Sequence, residues 1–283
     1  MNTQQALLHA RSVDIEPIDA QTLLLHVMQG SLHDRAWLLL NDTFELSIDQ
    51  QAQFQQGFAR LLDNEPLAYV TGWQAFHGLE LQVTPDVLVP RADTETLVDW
   101  ALALGLPQAR VLDLGTGSGA IALALKHQRP DWSVHAVDQS AQALKVAQAN
   151  ARRLQLDVLM KQSDWFSQVQ GRFDLIVSNP PYIAQGDPHL PGLVYEPQSA
   201  LVSGPKGLDD LQTIIGQAPD YLNPQAWLLL EHGYDQASAV CELLWQNGFT
   251  EVQSRNDLAG IARCSGGQTR GSEIIQQLSI FAM

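Results

Sequence analysis

Residues 111–123 read VLDLGTGSGAIAL. An apolar run suited to a buried strand passes into three glycines at a spacing of two, then into residues suited to a helix. No other stretch restricts the fold as much. A strand that turns this sharply into a helix belongs to a strand–helix–strand unit, and such units build parallel sheets covered on both faces. The chain around it repeats the alternation. Helix is expected over 93–104, with Leu97, Ala101 and Leu104 on one face, and strand over 109–115. A helix over 119–128 is stopped by Pro130, a strand follows over 133–138, and a helix over 141–155 aligns Leu144, Ala147, Ala151 and Leu154. Strands over 157–164 and 173–179, a helix from Leu208, a strand over 226–233 and a helix over 235–247 closed by Gly248 complete the series. The expected fold class is α/β with a doubly wound sheet, and ligands of such sheets bind beyond the carboxyl ends of the strands.

Ahead of this lies a different pattern. Up to about Gly72 the sequence reads as short helices, with Asp19 and Asp34 as N-cap candidates and Phe54, Phe58, Leu61 and Leu62 at helical spacing. Nine acidic residues stand there against three arginines. Residues 73–90 alternate and contain Gly78 and Pro85, which suggests a β-hairpin. The expected domains are therefore 1–72, helical; 73–90, a linking hairpin; and 91–283, the α/β domain. A chain of 283 residues with 45% hydrophobic and 17% charged content can bury such cores. The net charge of −15 argues against non-specific nucleic-acid binding. Two cysteines and eight histidines show no metal spacing, so no metal is expected, and His189 and His232 are expected in solvated loops. The first residues lack a basic stretch followed by an apolar core, and no apolar run reaches membrane-spanning length, so a cytoplasmic protein is expected.

The glycine turn of Gly115, Thr116, Gly117, Ser118 and Gly119 is suited to a ligand, because glycine lets it approach the backbone and the helix start offers free N–H groups. Asp138 ends the next strand, where a carboxylate can accept from both ribose hydroxyls. Gly115, Gly117 and Ala120 also satisfy a dinucleotide fingerprint, so adenosine is indicated and the cofactor carrying it stays open. Asp164 is suited to an adenine amine and Trp165 to stacking on the ring. A turn cap and a core filler are their plain alternatives.

The segment FDLIVSNPPYIAQ, 173–185, decides the cofactor. Asn179 ends a strand and precedes Pro180 and Pro181, so its backbone is held extended. Its side-chain oxygen and the Pro180 carbonyl are two rigid acceptors that suit a planar –NH2, and Tyr182 can stack on the group bearing it. An amide or aryl amine nitrogen is a poor nucleophile. Acceptors aimed at its hydrogens stabilise the charge that builds on attack and direct its lone pair. Hydride transfer has no use for such a clamp, whereas a sulfonium methyl donor does, which selects S-adenosyl-L-methionine over NAD.

Taken together, NEPLAYVTGWQAFHGLEL, VPRADTETLV, VLDLGTGSGAIALAL, AVDQSAQAL, SDWF, IVSNPPYI, YEPQSALVSGPKGLD and LLLEHGYDQ resemble, in order, the peptide chain release factor glutamine methyltransferases (the HemK/PrmC family). The resemblance implies a class I, Rossmann-like methyltransferase domain behind a helical N-terminal domain. The implied substrate is the glutamine of a Gly-Gly-Gln motif in a release factor. It places Gly115 to Gly119, Asp138, Trp165 and Asn179 at the cofactor, and Asn179, Pro180, Pro181 and Tyr182 at the glutamine amide. NPPY is shared with adenine-amine DNA methyltransferases, so PRADTE and YEPQSAL carry the specificity of the resemblance. Arg91 and Glu95 are expected to pair at a helix start capped by Asp93 or Thr94, and Glu196-Pro197 to shape a loop. Ala92 stands where the family usually has proline.

NDLAGIARC fits the family's closing strands, whereas TRGSEIIQQLSIFAM reads either as an extension or as a divergent last strand. Gly266-Gly267-Gln268 repeats the tripeptide the family methylates, and chance is preferred to self-methylation or mimicry. An adenine methyltransferase would need a basic groove and a target-recognition region, neither of which is evident. An idle adenosyl-binding regulator would not need the intact clamp. A monomer whose acidic helical domain docks a basic, rRNA-binding release factor is expected, with no nucleic-acid or membrane partner.

Overall fold

The computed structural model describes residues 1–13, 15–30 and 35–271. They form two compact units, Met1–Trp73 and the chain from Gln74 onward. The candidate cap Asp34, the acidic Asp14 and the closing residues 272–283 lie outside the described residues.

The first unit is helical: α1 (Thr3–Arg11), α2 (Pro17–Val27), α3 (Arg35–Leu40), α4 (Ile48–Leu62) and α5 (Leu67–Thr71). Leu23, Leu24, Phe54 and Phe58 lie in its core. Leu62, which shares the helical spacing of Phe54 and Phe58, is about half exposed. Asp19 does not cap α2. The helix starts two residues earlier because Pro17 holds its first position, where no N–H is required, and Asp19 falls in the first turn. Ser47 caps α4 reciprocally with Gln50, a Ser-x-x-Gln signature visible in the sequence.

A short hairpin, β1 (Trp73–Phe76) and β2 (Leu79–Gln82), starts at the last residue of the first unit. The expected pairing stops at Gln82. Residues 83–91 instead run irregularly, burying Val83, Val87 and Val89, and a 3-10 turn at Ala92–Thr94 leads into α6 (Glu95–Ala103). Then follow β3 (Arg110–Leu114), α7 (Ala120–Gln128), β4 (Ser133–Asp138), α8 (Ala141–Leu154), β5 (Leu159–Gln162), β6 (Phe173–Ser178), α9 (Asp209–Tyr221), β7 (Leu222–Glu231), α10 (Ala237–Gln246), β8 (Thr250–Asn256) and β9 (Ala262–Gln268). The seven-stranded sheet has the order β5-β4-β3-β6-β7-β9-β8. β3 to β7 are parallel, while β9 runs antiparallel between β7 and β8.

Both faces are buried, which explains the near-continuous apolar strands. Val111, Leu175, Val177 and Leu229 pack on one side with Leu97, Trp100 and Leu123. Leu112, Leu114, Ile176, Leu228 and Leu230 pack on the other with Ile214 and Leu244. The strand order reverses between β3 and β6, whose register aligns Leu114 with Ser178. Ser178 Oγ donates to the Leu114 carbonyl at 2.7 Å, reinforcing that register. Such a switch point opens a crevice at the carboxyl ends of its strands.

Candidate active site

Two sequence segments leave the sheet at that crevice from the same rung of neighbouring strands. After Leu114 the chain turns through Gly115, Gly117 and Gly119, each with positive φ. A side chain at 117 would meet nothing within 4 Å and would fill the space a ligand needs. At 119 a Cβ would come within 3.0 Å of Leu123 and 3.2 Å of Ala147, so glycine there lets α7 start against α8. Gly115 N–H and Thr116 N–H donate to the Val137 carbonyl at 2.9 and 3.0 Å, holding the turn beside the end of β4.

Asp138, at that end, accepts from Gly117 N–H at 2.9 Å and Ser140 N–H at 2.8 Å. Burial holds its carboxyl above the ordinary carboxylate range, against the pull of those two bonds. Ser163 N–H donates to the Asp138 carbonyl at 3.0 Å, which brings Asp164 and Trp165 to the same crevice. Trp165 has a left-handed backbone (φ 41°), and its indole N–H reaches Asp210 at 3.2 Å.

One cavity is lined by Gly115, Thr116, Gly117, Ser118, Asp138, Asp164, Trp165, Asn179 and Pro181, all chosen from sequence. Gly119, Pro180 and Tyr182 flank that lining along the chain. The same cavity adds Thr94, Ile121, Ser140, Pro197 and Ser199, which sequence reasoning did not single out for ligand contact. The open space at Gly117, the fixed carboxylate of Asp138 and the indole of Trp165 fit an adenosyl group.

The Asn179 amide is not free to rotate. Its Nδ2 donates to Thr94 Oγ1 at 3.2 Å, which leaves Oδ1 as the acceptor. The Tyr182 hydroxyl donates to Glu231 Oε1 at 3.3 Å. Burial, the Glu231 charge and their hydrogen bond raise the phenol well above its usual range, so it stays protonated. Glu231 ends β7 and is buried, and its carboxyl is pushed up to about 7, chiefly by desolvation. Asp113, inside β3, is likewise buried and pushed up to about 7 by desolvation. Its Oδ2 accepts from the Thr116 hydroxyl at 2.6 Å and Ala122 N–H at 3.3 Å, bracing the glycine turn from behind.

Several expected contacts are replaced. Arg91 pairs with Glu196 rather than Glu95, and Glu196 also accepts from Val89 N–H at 3.1 Å. The two family-like segments, PRADTE and YEPQSAL, therefore hold each other. Glu95 instead accepts from His77 N–H at 2.7 Å, and Asp93 pairs with Arg263 at 3.1 Å. Neither Asp93 nor Thr94 caps α6 with its side chain. His189 is exposed as expected, but His232 is fully buried: Ser265 lies 2.7 Å from its Nε2 and the Gly233 carbonyl 2.9 Å from its Nδ1. Among the described residues no cluster suits a metal ion.

Two family models match the chain, the PrmC N-terminal domain over residues 2–72 and the methyltransferase small domain over residues 94–200. A release factor glutamine methyltransferase of Bordetella pertussis is 48% identical over 256 residues, 88% of this chain and 94% of that protein. One from Pseudomonas aeruginosa is 51% identical over 221 residues, 76% of this chain and 80% of that protein. Among solved structures, the T. thermophilus 16S rRNA N2 G1207 methyltransferase in complex with AdoMet and guanosine is similar in fold. Its TM-score is 0.52 at 21% identity, over 70% of this chain and 50% of that one.

Proposed function

The chain belongs to the release factor glutamine methyltransferase family, and from that membership we propose that Asn179, Pro180, Pro181 and Tyr182 seat the amide it methylates. The enzyme transfers a methyl group from S-adenosyl-L-methionine to the side-chain amide nitrogen of a release factor glutamine. The observation that carries the site assignment is the shared rung of β3 and β6. The glycine turn and the Asn-Pro-Pro-Tyr segment follow Leu114 and Ser178, which are register partners, and Asn179 lines the same cavity as the turn.

Bound S-adenosylmethionine supplies an electrophilic methyl on a sulfonium. Gly115, Thr116, Gly117, Ser118, Gly119, Asp138, Asp164, Trp165 and Asn179 are the residues that would hold it, with Asp138 on the ribose and Trp165 against the adenine. Asn179 Oδ1 and the Pro180 carbonyl would accept the two hydrogens of the glutamine amide. Methyl transfer to the amide nitrogen would leave the C–S electron pair on sulfur, and the nitrogen would lose one proton to water. Acceptors already in place stabilise the positive charge that builds before the proton leaves, with no reorganisation at the moment of transfer. Tyr182, protonated and tied to Glu231, orients the clamp rather than acting as a base.

The docking of a release factor is supported by charge. A net −15 suits a release factor made basic by its own binding to ribosomal RNA. Residues 1–72 would dock it, residues 91–283 would carry the transfer, and 73–90 would link them, with the enzyme acting as a monomer in the cytoplasm on the Gly-Gly-Gln glutamine. Among the described residues no helix is long and apolar enough to cross a membrane. The test is intact-mass and peptide mapping after incubation with the cofactor and a purified release factor, beside adenine-containing duplex DNA. One methyl on the Gly-Gly-Gln glutamine, lost with Asn179→Ala, is expected. Methyl on DNA alone would make the enzyme an adenine methyltransferase.

A further inference from the structure

We propose that Asp210 is a positioning residue for the cofactor: its side chain fixes the indole of Trp165 as the platform on which the adenine stacks. This rests on the reading of Trp165 as the adenine contact. A flat ring gives its full stacking energy only when its plane is already held where the ligand needs it. A ring ordered at the moment of binding loses part of that energy to entropy. The indole carries one polar atom, an N–H on one edge. A partner for that N–H therefore selects one orientation of the ring and rejects the flipped one.

Asp210 supplies that partner. Trp165 Nε1–H donates to Asp210 Oδ1 at 3.2 Å, between residues 45 apart in sequence. Trp165 lines the cavity with Gly115, Asp138 and Asp164, whereas Asp210 is outside the described lining and bears on the cavity through the indole. The six-membered edge of the ring packs on the glycine turn: a Cβ at 115 would lie 3.4 Å from Trp165 Cζ3. The ring is thus held at two edges, by Asp210 at its N–H and by the turn at its apolar side.

The backbone beneath the ring is held as firmly. Trp165 has φ 41°, a left-handed conformation that bulky residues rarely adopt and that persists only where several contacts require it. Ser163 Oγ donates to the Trp165 carbonyl at 2.8 Å, and Ser167 N–H donates to the Asp164 carbonyl at 2.9 Å. Phe166, next along, is buried and stacks on Tyr221 at the end of α9, with ring centroids 4.5 Å apart. Asp210 lies in the first turn of the same helix. Its own N–H donates to Ser203 Oγ at 2.8 Å. Ser203 N–H donates in turn to the carbonyl of Ile183, the residue after Tyr182, at 3.0 Å. Asp210 is therefore placed by a helix on one side and by the segment that follows Asn-Pro-Pro-Tyr on the other.

The test measures the affinity of the full chain for S-adenosyl-L-homocysteine by titration calorimetry. It compares wild type, Asp210→Ala, Asp210→Asn, Trp165→Ala and the double variant Asp210→Ala/Trp165→Ala, with thermal melts of each without ligand. Asp210→Ala is expected to raise Kd about fivefold. Asp210→Asn, which keeps an acceptor oxygen, is expected to stay within about twofold of wild type. Trp165→Ala is expected to raise Kd about tenfold or more, and in its absence of an indole Asp210→Ala should add less than about twofold. That non-additivity is what a residue acting through the indole requires, and a side chain that only stabilised the fold would not show it. In turnover with a purified release factor, KM for S-adenosylmethionine should rise with Kd in Asp210→Ala, while KM for the release factor stays within about threefold. Wild-type affinity in Asp210→Ala, an equal loss in Asp210→Asn, or additive losses in the double variant overturns the proposal. If Asp210→Ala does not fold, Trp165→Phe carries the test, since it keeps an aromatic face and removes the N–H. A raised Kd is expected there, and wild-type affinity overturns the proposal. Wild-type affinity in Trp165→Ala would instead remove the adenine reading, and the proposal with it.

Discussion

Asp113 shows how a single side chain serves the site without touching the cavity. It is a strand residue, fully buried, with one oxygen bracing the glycine turn and the other lacking a hydrogen-bond partner among the described residues. Its folded-state value, about 7, lies above the reference value of 3.8. The sign follows from linkage: the folded state holds the proton more tightly, so this contribution is complete below about pH 4 and is lost as pH rises through about 7. Thermal melts across that window should show Tm falling with rising pH, and Asp113→Asn should flatten the slope. An unchanged slope would place the titration elsewhere. The glycines, Asp138 and Asn179 were legible in the sequence because each has a backbone or terminal role that spacing reveals. Asp113, Thr94 and Glu231 were not. One is an acid inside an apolar strand run, one an acid at a strand's end and the third a common threonine, and their contacts come from neighbours that only the fold supplies.

At the scale of elements, β9 explains the Gly-Gly-Gln coincidence. Gly266 sits between Leu229 of β7 and Gln253 of β8 in register, and a Cβ there would come within 2.6 Å of the Leu228 carbonyl and of Leu229 Cδ2. The glycine allows close packing of an inserted strand. Gly266→Ala should cost about 1–3 kcal/mol, the range for overpacking a core, seen as a lower denaturation midpoint with unchanged slope. Gln268 donates to the Gln225 carbonyl at 2.8 Å, and peptide mapping should find it unmethylated. The 183–204 excursion makes a second element-scale case. Its ends are joined by the Ile183–Val202 bridge, and Glu196 anchors its middle to Val89 and Arg91. Glu196→Ala removes both anchors, and limited proteolysis should then cut between Gln185 and Glu196 faster than in wild type. Sequence periodicity found the strands and helices of the α/β unit because both faces of its sheet are buried. It overextended the hairpin, since Val83, Val87 and Val89 are apolar at even spacing like a strand's but lie outside every strand among the described residues.

For the whole molecule, charge is the lever most open to experiment. Asp42, Glu45 and Asp49 are exposed on the helical unit. If that unit docks a basic release factor, KM for the release factor should rise with ionic strength as screening shortens the reach of the charges. Changing all three to lysine should raise KM at low salt with kcat nearly unchanged. KM independent of both salt and charge reversal would move docking to other residues. The topology has one more consequence. On the proposed site assignment, methyl donor and methyl acceptor are held by turns that leave neighbouring strands at the same rung, and neighbouring strands are about 4.8 Å apart. The sheet is thus a ruler for the reaction. Loops around the crevice can lengthen or shift while the reacting partners keep their span, and only a slip of β3 against β6 would reset it.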